Sequence, residues 1–256
     1  MITEKLINAV DLTVESFTLL KKDKSLLIPP ILSLVVIALI IILGFIFILL
    51  PAILLGLGGT ELGSYIIFSL MMFPIYFVIT FFSAALTWMV LEVKQGKDTT
   101  LLTGLKKAAA ETVDIFLFSV TTLIVALLVR LIKGKKRDRF RHAAAGVLDA
   151  GWDVLGGLLL PSMILTHHTF FTAWKEIKEY RKTIPQVLAG SFGLGYIYTL
   201  IWLVFYGISL MLIFYFNYPG TGVLILLISS SLLLVYGKMI KTIYFALLYI
   251  QIKKLR

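Results

Sequence analysis

The chain lacks cysteine entirely and carries little charge for its length. With no cysteine among its 256 residues, it has no disulfide bond, no thiolate nucleophile and no cysteine-based metal site. Charged residues make up 15% of the sequence, whereas a typical soluble domain has about 25%. No polar stretch is long enough to form a sizeable soluble domain, so we interpret residues 1–256 as a single domain.

Histidine is scarce as well, and no catalytic motif stands out. The histidines are His142, His167 and His168, and the adjacent pair points to different sides of a helix, which does not suit a metal site. The glycines of residues 190–195 (GSFGLG) do not follow a strand in a βαβ unit, so they do not form a dinucleotide-binding loop. We therefore predict no catalytic residue, no metal, no cofactor and no enzymatic activity.

Acidic residues are outnumbered by basic ones, 14 to 24, which gives a net charge of +10. In a soluble protein such an excess would suggest nucleic-acid binding. Here the lysines and arginines lie at the edges of apolar segments, where such residues set the orientation of membrane proteins. We predict the lipid bilayer as a partner and no nucleic acid.

Long apolar segments are what the chain has in abundance. Hydrophobic residues account for 59% of the sequence, and the mean hydropathy is +0.98. Residues 26–50 include no charge and, at about 1.5 Å per residue, can cross a hydrocarbon layer of about 30 Å. The sequence predicts an all-α, multi-pass protein of the cell membrane. About six hydrophobic helices are predicted, at residues 26–50, 65–92, 112–132, 143–166, 193–217 and 222–250.

Two prolines mark these segments. Pro51 is expected to end the first hydrophobic helix, and Pro161 is expected to interrupt the fourth.

Two further segments are amphipathic and are predicted to lie in the membrane interface. Residues 4–22 place Val10 and Val14 at helical spacing, with acidic and basic residues mostly elsewhere on the helix. Residues 168–183 carry Phe170 and Trp174 among other aromatic side chains, which favour the headgroup level of a bilayer.

The distribution of basic residues predicts that both termini are cytoplasmic. Residues 1–25 and 238–256 are rich in lysine, whereas the loops 51–64 and 218–221 contain no lysine or arginine. The turn at 133–142 is the exception, because this orientation places its basic residues outside. For the third and fourth hydrophobic helices, partial insertion into the membrane is therefore an alternative to a full crossing.

The fourth hydrophobic helix has an unusual small face. One side carries bulky residues such as Trp152, and the opposite side gathers small and acidic residues. Small residues let helices pack closely in membranes, so we predict a packing face in a homo-oligomer. Its members are Gly146, Ala150 and Gly157.

Asp149 and Asp153 lie four residues apart on this small face and form a candidate polar seam. Carboxylates inside a membrane are costly, so they pair with other groups or line water. Two alternatives stay open. Either the pair neutralises the nearby arginines Arg130, Arg139 and Arg141, or it lines a hydrated path for ions.

Five sequence motifs give the chain a resemblance to a known family. They are SFTLLKKDKSLLIPP at 16–30, FSAAL at 82–86, GLKKAA at 104–109, AGWDV at 150–154 with Pro161, and GSFGLG at 190–195. The chain resembles an uncharacterised family of archaeal and bacterial polytopic integral membrane proteins. The resemblance covers most of the chain and implies a topology rather than an activity.

The order of segments is more distantly similar to that of the CysZ sulfate permease group. Members of that group also have an N-terminal amphipathic helix, two long spanning helices and later helix pairs that enter the membrane partway. This resemblance implies an oligomer associated with anion passage. It carries no site residues over to this sequence.

These observations favour an oligomeric channel or permease for ions or small solutes. The alternative is a non-transporting membrane scaffold or a lipid-interacting protein. A pore needs a continuous polar path, whereas a scaffold needs only closed apolar packing.

Overall fold

The computed structural model describes residues 2–56, 60–134, 139–177, 184–215 and 218–255. These residues form ten α-helices and no strand, which confirms the predicted all-α class. The helices are α1 (Ile2–Lys22), α2 (Ile28–Gly44), α3 (Leu50–Leu54), α4 (Glu61–Lys94), α5 (Leu101–Ala110), α6 (Thr112–Lys133), α7 (Arg139–Thr166), α8 (Phe170–Ile177), α9 (Ile184–Phe214) and α10 (Pro219–Lys253).

Four helical stretches of the described chain are long and apolar enough, by length and composition, to cross a membrane. They are Lys24–Leu54, Leu62–Lys94, Thr112–Lys133 and Arg139–Thr166. These stretches indicate a membrane protein with transmembrane helices. The predicted segments 193–217 and 222–250 fall on α9 and α10, apart from residues 216–217, which lie outside the described residues. The predicted count of six hydrophobic helices stays a prediction.

The prediction that Pro51 ends the first hydrophobic helix is wrong. A π-helical turn, Phe45–Leu49, precedes it, and the N–H of Leu50 donates to the carbonyl of Phe45, five residues earlier. Pro51 then occupies the start of α3, where its missing N–H interrupts little of the bonding, and the helix continues to Leu54. The wider π-helical turn accommodates the proline, so the helix continues past it.

Pro161 does not interrupt the fourth hydrophobic helix either. It lies buried inside α7, which continues for five more residues to Thr166. A proline ring clashes with the carbonyl four residues earlier, and here that residue is Gly157, which has no side chain to hinder a local adjustment. An apolar setting also favours the helix, since a broken one would leave backbone groups without partners.

Helices α4 and α6 run in opposite directions, with α7 parallel to α4. At one end, the Arg130 guanidinium lies 4.5 Å from the ring centroid of Phe68, near the start of α4. At the other end, His167 after α7 lies 2.7 Å from Glu111, just before α6. The end of α6 and the start of α7, which flank the basic turn, therefore lie at the end of α4 opposite Lys94. Residues 135–138 of that turn lie outside the described residues.

The buried core lies toward the C-terminal ends of α4 and α10. It includes Ala85, Met89, Tyr244 and Tyr249, which are almost completely buried. Toward the opposite end many apolar side chains are exposed; Leu54, for example, is 78% exposed. Exposed apolar surface on this scale is unfavourable in water, whereas it suits contact with lipid.

The amphipathic segments pack on this core. Helix α1 buries Leu12 and Leu19 and leaves Val10 and Val14 exposed, so its apolar surface extends beyond the intramolecular contact. Helix α8 covers the first part of the predicted segment 168–183; residues 178–183 lie outside the described residues.

Candidate functional site

An ion pair joins α7 to α10 at positions away from the ends of both helices. Lys241 Nζ donates to a carboxylate oxygen of Asp153. One turn further along both helices, the ring of Phe245 packs against Gly157, where an added Cβ would lie 2.5 Å from a ring carbon. The absent side chain at Gly157 lets the helices approach closely enough for the pair to form.

A cavity of about 200 Å³ borders this pair between α4, α6, α7 and α10. Its polar lining includes Thr80, Thr87, Thr122 and Thr242. Each of these hydroxyl groups donates to the backbone carbonyl four residues earlier in its own helix. Thr80 and Thr87 are almost completely buried, and the Thr122 oxygen also accepts from Trp152 Nε1 at 3.2 Å. The half-buried Thr122 and Thr242 keep acceptor capacity for a solute or for water.

A second, larger cavity of about 840 Å³ lies between α2, α4, α9 and α10. The two cavities share six lining residues: Ile79, Ser83, Asp153, Lys238, Lys241 and Thr242. The charged side chains therefore lie where the two cavities meet. Two ammonium groups and one carboxylate give this junction a net positive charge.

Lys238 differs from Lys241 in its partners. Asp153 and Lys241 are its charged neighbours, but Lys238 forms no ion pair with any residue that the structure describes. Its side chain is exposed to the cavities that it lines. An ammonium group without an ion-pair partner needs water or an anion when apolar helices surround it.

The position of Lys238 along α10 makes this requirement strong. The residue lies fifteen positions before Lys253, the last residue of the helix, or roughly 22 Å along the axis. It falls inside the predicted hydrophobic segment 222–250, well away from either of its ends.

The two carboxylates of the predicted polar seam have different surroundings. Both residues are exposed, but Asp153 lines both cavities and Asp149 lines neither of them. Asp149 lies near enough to Tyr76, a lining residue of the smaller cavity, to interact electrostatically. Arg130, one of the predicted partners, contacts the rings of Tyr65 and Phe68.

The three residues of the predicted packing face also differ. Gly157 is in contact with Phe245 of the same chain, and Ala150 is half-buried. Gly146 is exposed, and an added Cβ there would meet no described atom within 4 Å. Contact with a second copy at this face stays a prediction.

A further polar cluster, which the sequence analysis did not predict, surrounds Glu176 of α8. Its buried carboxylate accepts hydrogen bonds from Ser162 Oγ at 2.7 Å and Tyr249 Oη at 3.3 Å, lies 3.0 Å from His168 Nδ1, and pairs with Lys253. These contacts hold α8 against α7 and α10. The carboxylate is fully used by protein groups, which indicates a structural role.

Lys238 and Lys241 were also missed as site residues. The sequence analysis counted them with the basic C-terminal region, 238–256, although they fall within the apolar segment 222–250. Their position inside that segment, three residues apart and hence on one helix face, was the signal.

We predict that Asp153 and Lys241 are energetically coupled. Asp153→Asn and Lys241→Met should each destabilise the protein, because each removes the attraction between these two charges, while the double variant should recover part of the loss. We expect a coupling free energy of about 1 kcal/mol or more from unfolding measurements on the four proteins in detergent.

The ion pair between Lys94, the last residue of α4, and Glu15 is the matched control, because it lies at a helix end and lines neither cavity. Lys94→Met and Glu15→Gln should couple by less than about 0.5 kcal/mol. Purely additive effects at Asp153 and Lys241 would contradict the prediction.

Comparison with known proteins places the chain in a family. The model of the DUF6159 family, described as a family of unknown function, matches residues 61–254, which is more than two thirds of the chain. No curated protein and no solved structure matches it. The chain belongs to the DUF6159 family.

Proposed function

We propose that the protein is a channel or permease for ions or small solutes, and that the path passes Asp153, Lys238 and Lys241. The observation that carries the proposal is the position of these three charges at the junction of two cavities between apolar helices. Ionisable groups in such places are costly to retain and commonly mark ion or substrate pathways.

The rest of the lining supports the same proposal. The hydroxyl groups of the half-buried residues Thr122 and Thr242 extend the polar surface from the charged junction along the smaller cavity. Such oxygen atoms can replace part of the hydration shell of a solute that moves past them. A scaffold would have no need to keep a charged and hydroxyl-lined space between its helices.

We predict that the junction charges control ion selectivity in liposome flux assays with a panel of cations and anions. Asp153→Asn should shift the permeability ratio toward anions by about tenfold, since it leaves two lysines unbalanced. Lys241→Met should shift the ratio in the opposite direction.

The control for this assay is Asp149→Asn, which removes a carboxylate of the same helix that lines neither cavity. It should leave the ratio unchanged. If wild-type liposomes conducted no ion faster than protein-free liposomes, the alternative role of a scaffold or lipid-interacting protein would replace this proposal.

We further propose that the protein assembles as a homo-oligomer through the exposed part of the small face of α7. Gly146→Leu should disrupt assembly through overpacking, at a cost of about 1–3 kcal/mol, as measured by light scattering in mild detergent. Gly157→Ala should instead lower the stability of the single chain, because its side chain would meet Phe245. If light scattering showed the wild-type protein to be a monomer, the assembly proposal would be wrong.

The proposed orientation places both termini in the cytoplasm, which the loops 51–64 and 218–221 support by their lack of lysine and arginine. Because the chain has no native cysteine, single-cysteine labelling is free of background. Ile2→Cys and Arg256→Cys should resist an impermeant thiol reagent in intact cells and react after permeabilisation. Labelling of either cysteine in intact cells would show that this terminus lies outside the cell and would contradict the proposed orientation.

A further inference from the structure

The larger cavity has the composition of a binding site for an amphiphile. Its volume of about 840 Å³ lies within the range of about 300–1,000 Å³ that is usual for ligand sites. Its walls are mostly apolar and include Leu34 and Ile37 of α2, Phe82 of α4 and Leu233 of α10. Polar side chains of several helices also line it, among them Ser33 of α2, Ser83 of α4, Asp153 of α7 and Thr199 of α9. Its two ammonium groups are those of Lys238 and Lys241 on α10, which outnumber the single carboxylate.

Two polar residues that line this cavity lack partners among the described residues: one lacks an ion-pair partner and the other a hydrogen-bond partner. The ammonium group of Lys238 has no ion-pair partner in the described part of the chain. The hydroxyl oxygen of Tyr198 is buried and makes no hydrogen bond to any described group. A buried hydroxyl without a partner is unfavourable, so it gains a hydrogen bond when a small shift of the side chain brings it to the acceptor of a ligand.

The two groups are held on the same wall. The ring of Tyr198 packs over Gly237, the residue next to Lys238, and an added Cβ at Gly237 would lie 3.3 Å from the ring. Both Tyr198 and Lys238 line the cavity. The side chain of Tyr198 therefore lies beside the stretch of α10 that carries Lys238.

We propose that this cavity binds a long-chain carboxylate, with the carboxylate at Lys238 and Tyr198 and the alkyl chain along the apolar wall. A carboxylate has two acceptor oxygens, which match the ammonium and phenol donors. The proposal does not rest on the permeation function, because binding requires no open path through the protein.

The depth of Lys238 favours a small headgroup. Its distance of roughly 22 Å along α10 from Lys253 places the charge inside the predicted hydrophobic segment. A phospholipid headgroup stays at the bilayer surface, whereas a carboxylate is compact enough to follow its chain between helices. The cavity is also reachable from the side, since Leu34 and Trp202 at its wall are 38% and 37% exposed.

The test uses the full-length protein in phosphatidylcholine nanodiscs, with radiolabelled palmitate as the probe. Unlabelled palmitate should displace the probe, and hexadecanol, which has the same chain without the charge, should compete about tenfold less well. Acetate, which has the charge without the chain, should not compete. Equal competition by palmitate and hexadecanol would overturn the assignment of the headgroup.

Variants of the two donors test the site itself. Lys238→Met should weaken palmitate binding about tenfold and Tyr198→Phe about threefold, while Lys238→Arg should retain binding. The matched controls are Tyr196→Phe on the same helix and Lys106→Met on α5, since both residues are exposed and lie outside this cavity. Unchanged binding in Lys238→Met would overturn the proposal.

A photoactivatable palmitate gives a readout that does not depend on the folding of variants. In the wild-type protein, peptide mapping should find the label at Leu34, Ile37 and Leu233. Phe47 and Val113 report on general lipid contact, because they are 72% and 73% exposed and lie outside the cavity. Labelling of Phe47 and Val113 as strong as that of the cavity wall would show bulk partitioning and overturn the site.

Discussion

The close contact between α7 and α10 is the constraint on which the site depends. Asp153 and Lys241 can pair only if the two helices approach closely, and Gly157 with Phe245 provides that approach one turn further along. Loss of either member would remove the attraction that offsets the desolvation of the other. The helix contact and the ion pair therefore require each other. The two cavities meet at this contact because the charged side chains keep apolar groups from filling the space.

The ion pair also explains why Lys238 is the distinctive residue of the site. Asp153 carries one negative charge, and Lys241 already shares it. Lys238 lies close to both and adds a second positive charge that the described chain does not balance with an ion pair. An arrangement selected only for stability would replace such a lysine with an apolar residue of similar size. Its retention therefore favours a role in contact with something that the chain does not supply.

Local patterns predicted much of the fold, because helix formation follows periodicity and apolar length. The positions of α1, α4 and α6 follow from the sequence, and so does the placement of Asp153 on the small face of α7. The predicted helix end at Pro51 and the predicted interruption at Pro161 were wrong, since a π-helical turn before Pro51 and a glycine four residues before Pro161 accommodate the prolines. The partner of Asp153 lies eighty-eight residues away in sequence, on α10. No local pattern encodes that pairing, so the site required the structure.

The Lys238 cluster inside the length of α10 and the Glu176 cluster at the end of the helix bundle differ in how far their hydrogen-bonding groups are satisfied. Glu176 is buried, yet Ser162, His168, Tyr249 and Lys253 occupy its carboxylate oxygens, so no capacity is left for a ligand. Lys238 faces open space without an ion-pair partner among the described residues. Both groups carry a full charge, and burial alone would rank Glu176 first. Because a satisfied group has already gained its interaction energy from the fold, only an unsatisfied one still has binding energy to offer. Hydrogen-bond and ion-pair satisfaction, rather than charge or burial, is therefore the ground on which we propose Lys238 as the residue that meets a solute.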